Sequence, residues 1–161
     1  MLLSKRAFLL SGLALGACGF TPVYGPNGAA KGLPGAVAIM APDNRNSYDL
    51  VKRLEERLGR ESGARYTLGY QITTREEGLG ITPDQETKRL QVRGAIVYTL
   101  TDETTGLVVD QGSVSTFTSY SAEGSTISTA STKRDAYRRL MVALADLITN
   151  RLIATAPDWL A

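Results

Sequence analysis

Between residues 65 and 120 apolar side chains recur at every second position, while on either side of that region they recur at helical spacing. The change of period restricts the chain to a sheet bracketed by helices. "RYTLGYQITT" (65–74) sends Tyr66, Leu68, Tyr70 and Ile72 to one face. "EEGLGITPDQE" (76–86) reads as a loop, and "KRLQVRGAIVYTL" (88–100) alternates again through Leu90, Val92, Ile96, Tyr98 and Leu100. After the turn "TDETTG", the stretch "LVVDQGSVSTFTSY" (107–120) does not keep one parity, so a bulge at Gly112 is expected to reset it. Upstream, "AVAIMAP" (36–42) is a short strand that Pro42 ends.

A first helix follows, with Leu50, Val51, Leu54 and Leu58 on one face. Asn46 or Ser47 is expected to cap it, Asp49 to lie in its first turn, and Gly59 or Gly63 to close it. A polar, flexible stretch over 121–132 leads to a second helix over 133–156, whose stripe is Tyr137, Leu140, Met141, Leu144, Ile148 and Leu152; Pro157 is expected to stop it. Asp135 near its start and Arg151 near its end suit the helix dipole, whereas Lys133 and Arg134 at its start do not. The order is β-α-β-β-β-α. The expected fold class is α+β: a two-layer sandwich of a four-stranded mixed or antiparallel sheet with two helices on one face.

The first 17 residues read as an export signal. Lys5 and Arg6 make the positive segment, Ala7 to Leu15 the short apolar run, and Leu15-Gly16-Ala17-Cys18 fits the bacterial lipobox. Small residues admit the peptidase, and the thiol of Cys18, the single cysteine, is the site of lipid attachment. Gly19 instead of Asp at the next position points to the outer membrane. Residues 18–35, rich in Pro and Gly, read as the lipidated N-terminus and a flexible tether, and 36–161 as one domain. No uninterrupted apolar run reaches the length of a membrane span.

Composition narrows the chemistry. Lys5 and Arg6 account for the net charge of +2, so the chain after the signal is neutral overall and offers no case for nucleic acid. There is no histidine, the commonest general base and metal ligand. A single cysteine excludes an internal disulfide and a cysteine-based zinc site, and no phosphate-binding glycine loop is present. Neither enzyme activity, cofactor nor metal is expected. The acidic residues Glu76, Glu77, Asp84 and Glu86 read as a solvated loop, and the Ser and Thr of 113–132 lie in no nucleophile motif. Two basic clusters are the candidates for binding phosphorylated lipid headgroups: Lys88, Arg89 and Arg93 on a strand, and Lys133 and Arg134, with Arg138 and Arg139, on a helix.

"CGFTPVYG" resembles the mature start of the lipopolysaccharide-assembly lipoprotein family LptE, particularly its alphaproteobacterial members. The resemblance continues through "YDLVKRLEERLG", "YTLGYQI", "GLGITPDQETKRLQVRGAIVYTLTDETTG", "GSVSTFTSYS" and "RDAYRRLMVALADLITNRL". It implies an outer-membrane lipoprotein facing the periplasm, partnered with the LptD β-barrel as assembly factor and plug, and assisting lipopolysaccharide transport to the cell surface without catalysis. Family basic residues are linked to lipopolysaccharide; here Lys88, Arg89, Arg93, Lys133 and Arg134 are candidates by chemistry and location. The rival expectation is an auxiliary lipoprotein of an ABC-type lipid transport system.

Overall fold

The computed structural model describes residues 22–26, 28–78, 89–122 and 126–160. Cys18, Lys88, Asp84 and Glu86 lie outside the described residues.

The elements are β1 (Val37–Ile39), α1 (Arg45–Leu58), β2 (Tyr66–Gly78), β3 (Arg89–Asp102), β4 (Val108–Ser121) and α2 (Thr126–Trp159). The strands form one sheet in the order β1-β2-β3-β4, with β1 parallel to β2 and the other pairs antiparallel. The sheet is therefore mixed, because α1 carries the chain back across it before β2 begins. The period-two pattern decides which face the helices cover. Leu68, Tyr70, Val92, Ile96, Tyr98, Leu100 and Tyr120 point inward, against Leu50, Leu54, Leu58, Leu140, Leu144, Ile148 and Leu152. Gly94 lets α2 approach β3: a Cβ there would lie 2.9 Å from Leu144 Cδ1 and 3.0 Å from Leu140 Cδ2. By length and composition α2 could cross a membrane, but its apolar stripe is used to cover the sheet.

Several local details depart from the sequence reading. The cap of α1 is Asn44, whose side-chain oxygen accepts from the Asn46 and Ser47 backbone N–H groups at 2.9 and 3.0 Å. Ser47 reciprocates by accepting from the Asn44 N–H at 2.9 Å, so both residues of a capping box are present. Asp49 consequently falls past the first turn and pairs with Arg45 at 3.5 Å. Strand β2 runs on through Glu76 and Glu77, which pair with Val92 and Gln91 instead of looping out. The irregularity in β4 is not at Gly112. Leu100 faces Asp110 while Thr101 faces Val108, leaving Val109 as the extra residue. Gly112 stays in register opposite Tyr98, and its missing side chain serves close approach, since a Cβ would sit 2.8 Å from the Tyr98 hydroxyl.

The largest difference is α2. It starts at Thr126, within the stretch read as a flexible polar loop, and runs through Pro157 to Trp159. Hydroxyls in its first turns donate to helix carbonyls, Ser131 to Ser128 at 2.8 Å and Thr132 to Thr129 at 3.0 Å. The Thr118 hydroxyl of β4 donates to the Ala136 carbonyl at 3.0 Å and ties this half to the sheet. At the other end Pro157 costs one helical hydrogen bond, yet the helix persists because Trp159 is buried against Tyr66. The rings meet edge to face at 5.0 Å, and the Tyr66 hydroxyl donates to the Trp159 carbonyl at 2.7 Å. Asp135 and Arg151 thus lie inside the helix, and Lys133 and Arg134 stand two turns in, away from the unfavourable positive end.

The Pro- and Gly-rich segment expected to be a tether packs onto the domain where it is described. Ala30 and Leu33 are fully buried, and consecutive turns join Gly25 N–H to the Pro22 carbonyl and Ala30 N–H to the Val23 carbonyl.

Candidate functional site

The basic residues gather at one end of the sheet, where β2 ends, β3 begins, β4 ends and the first turns of α2 pass. They do not share one face. Arg93 projects from the uncovered side of β3, where it pairs with Glu77 at 3.5 Å and lies over the Phe117 ring at 6.0 Å. Arg75 reaches the same Glu77 at 3.3 Å, so this face carries two cations around one carboxylate. Arg89 is exposed at the start of β3, opposite Ser121, and has no acidic partner among the described residues.

Lys133 belongs to the helix-covered side. Its Nζ lies 2.9 Å from Glu76 Oε2 and 5.9 Å from the centre of the Tyr137 ring. Glu76 also accepts from the Tyr120 hydroxyl at 2.7 Å and the Tyr137 hydroxyl at 3.4 Å. Partial burial pushes the Glu76 carboxyl upward, but the bonds from Lys133, Tyr120 and Tyr137 outweigh it and hold the group below the ordinary carboxylate range. The bond to Glu76 raises the Lys133 ammonium, and Tyr120, by burial and then by the adjacent carboxylate, is pushed up to about 12. All members keep their usual charge near neutral pH. This network is a fixed polar strut between β2, β4 and α2.

Beside it a cleft of about 510 Å³ opens between the start of α1 and the first half of α2. Arg45, Asp49, Lys133, Arg134, Tyr137 and Arg138 line it. Arg138 is held by Asp135 at 2.6 Å, while Arg134 donates to the Ala130 carbonyl at 3.2 Å and has no acidic partner among the described residues. Arg45, Lys133 and Arg138 are paired with Asp49, Glu76 and Asp135, so Arg134 is the lining cation left to meet an anion. With the Tyr137 ring in the lining, the cleft suits an anionic amphiphile better than a metal ion. No cluster of three metal-ligating side chains occurs among the described residues. Reading the sequence missed the share of Arg45 and Glu76. Arg45 is distant in sequence, and Glu76 falls where turn-forming residues begin. Tyrosines at positions 120 and 137, the first buried and the second half-buried, were the available signal.

A two-layer α+β domain of this topology recurs among bacterial lipoproteins. A protein described as a lipoprotein from Caulobacter crescentus CB15 superposes with a TM-score of 0.66 at 20% identity, covering 82% of this chain and 98% of that one. The minor lipoprotein of Acinetobacter baumannii gives 0.53 at 18% identity, covering 74% and 89%. The rare lipoprotein B of Shewanella oneidensis gives 0.56 at 9% identity, covering 74% and 93%. At these identities the likeness is one of fold. No curated protein matches the chain significantly. The family model described as "LptE: Lipopolysaccharide-assembly" matches residues 35–152, and the chain belongs to that family.

Proposed function

We propose that this chain is an outer-membrane lipoprotein, anchored by an acylated Cys18, that docks with the LptD β-barrel as assembly factor and plug and assists lipopolysaccharide transport. The observation that carries the reading is the family match across nearly the whole folded domain. The work is binding, not catalysis. The chain has no histidine, and the carboxylates at the cleft are committed: Asp49 to Arg45, Asp135 to Arg138, and the neighbouring Glu76 to Lys133, Tyr120 and Tyr137. Lipid A phosphates are the anions that the basic end is suited to receive. Lys133 and Arg134 would act from the cleft, Arg89 and Arg93 from the strand, and Lys88 beside them in sequence.

Two experiments test this. A C-terminally tagged chain extracted from native outer membranes in mild detergent is expected to bring down a large β-barrel in stoichiometric amount. Recovery of periplasmic transport components instead would replace the reading with that of an auxiliary lipoprotein. The second compares Arg93→Asp and Arg134→Glu with the parent for lipopolysaccharide binding. Each is expected to lower affinity about tenfold, the loss of one charge-assisted contact, with unchanged circular dichroism. Unaltered affinity in both would remove the basic end as the binding surface.

A further inference from the structure

We infer that the end of the domain made by the Val23–Tyr24 turn and the Leu107–Val108 hairpin tip rests on the lipid surface in which the chain is anchored, an inference that depends on the acylation of Cys18 proposed above. The path of the chain limits where that surface can lie. The described chain starts at Pro22, whose carbonyl accepts from Gly25 N–H at 2.9 Å, and the following turns pack through buried Ala30 and Leu33. Four residue steps, through three intervening residues, lead from Cys18 to Pro22. Fully extended they span at most roughly 14 Å. An acyl group on Cys18 therefore holds this end of the domain close to the headgroups.

The same end carries the β3–β4 hairpin. The Ala36 carbonyl accepts from Arg65 N–H at 3.1 Å, the Arg65 carbonyl accepts from Glu103 N–H at 2.9 Å, and the Leu107 carbonyl accepts from Asp102 N–H at 2.9 Å. Those bonds run in one line from the N-terminal turns to the hairpin tip. Leu107 is 65% exposed, Val108 53% and Tyr24 44%. Two large aliphatic side chains at the tip and a tyrosine beside the entry of the chain are suited to headgroup depth, where an aromatic ring with a polar tip is favoured. The opposite end of β3, with Arg89, lies thirteen residue steps away, or roughly 43 Å at strand rise. The fold thus projects its basic cleft away from the leaflet that anchors it.

The test uses the full acylated chain. Acylation occupies the one native cysteine, so Leu107→Cys supplies a single free thiol for a polarity-sensitive fluorophore. Phe117→Cys is the distal control. It is exposed on β4, ten residues from Leu107, or roughly 33 Å along the strand. Both proteins are reconstituted into phosphatidylethanolamine and phosphatidylglycerol vesicles that contain bromine-labelled acyl chains. The label at 107 is expected to shift to the blue and to be quenched about twofold or more relative to the label at 117, as burial at the acyl boundary requires. Equal quenching at the two positions, in protein that floats with the vesicles, overturns the inference and leaves the anchor standing. Protein that does not float overturns both.

Discussion

Glu76 shows what one side chain decides at this end of the molecule. It sits on the inward parity of β2 and is three-quarters covered, so it needs partners, and Lys133 and two tyrosine hydroxyls supply them. Its folded-state pKa is depressed, so its contribution to stability is present above the ordinary carboxylate pKa and is lost as pH falls through the depressed value. Lys133 has the opposite sign: its pKa is raised, and its contribution is lost only as pH rises through that raised value. Lys133→Met is therefore expected to cost about 0.5–1 kcal/mol at neutral pH, since the pair is partly solvent-screened. That difference should shrink at acid pH, as the pH falls through the depressed value and the carboxyl becomes protonated. Urea unfolding at neutral and acid pH measures it, and an equal loss at both would mean that Lys133 acts through packing of its stem alone.

At the scale of elements, β4 is the exposed problem. It is fourteen residues long and pairs on one side with β3, and among the described residues no strand covers its other side. Such an edge is a template for strand addition. Two arginines of α2 reach across and occupy backbone acceptors: Arg151 donates to the Ser113 carbonyl at 2.7 Å and Arg139 to the Ser119 carbonyl at 3.2 Å. In the sequence these residues read as a dipole-compensating charge and as part of a basic cluster, because the distance from a helix to a strand edge has no local signature. The double variant Arg139→Ala/Arg151→Ala is expected to self-associate with rising concentration while keeping its secondary structure. Sedimentation velocity decides: a variant that stays as monomeric as the parent would show that the twist of the edge protects it without the arginines.

On the scale of the whole molecule, the chain closes on itself. Trp159, the one tryptophan, is 5% exposed and packs on Tyr66 at the start of β2, and its indole N–H donates to the Thr155 hydroxyl at 3.1 Å. Thr155 in turn donates to Asp110 at 2.9 Å, beside the bulged Val109 of β4. The end of α2, the first long strand and the last one are thus joined at the end opposite the basic cleft. Between the helices, Arg53 holds Asp146 through two bonds of 3.0 and 3.2 Å. Trp159→Ala is expected to cost about 3–5 kcal/mol, the range for emptying a large buried aromatic site, a substantial part of what a domain of this size has in total. Denaturation followed by far-ultraviolet circular dichroism would measure it. A loss below about 1 kcal/mol would mean that α2 ends functionally before Pro157.

What the sequence determined by itself was the set of elements, their order and the face each buries. Periods of two and of three to four are properties of a single segment, so Tyr66, Leu68, Leu50, Leu54, Leu140 and Leu144 announce their burial without reference to any neighbour. Only the tertiary structure decided the extent of α2, the position of the bulge and the division of the basic residues. Serine- and threonine-rich turns are nearly neutral between helix and loop, and the bonds of Thr132 to the Ser121 carbonyl and of Thr118 to Ala136 just beyond dock 126–132 on β4 as helix. The bulge falls at Val109 because the hairpin must close on Asp102, not because Gly112 permits it. Arg93 and Lys133 reach opposite sides of one sheet because residue parity on β3 and the docking angle of α2 are set independently. Nothing within either segment encodes their relation.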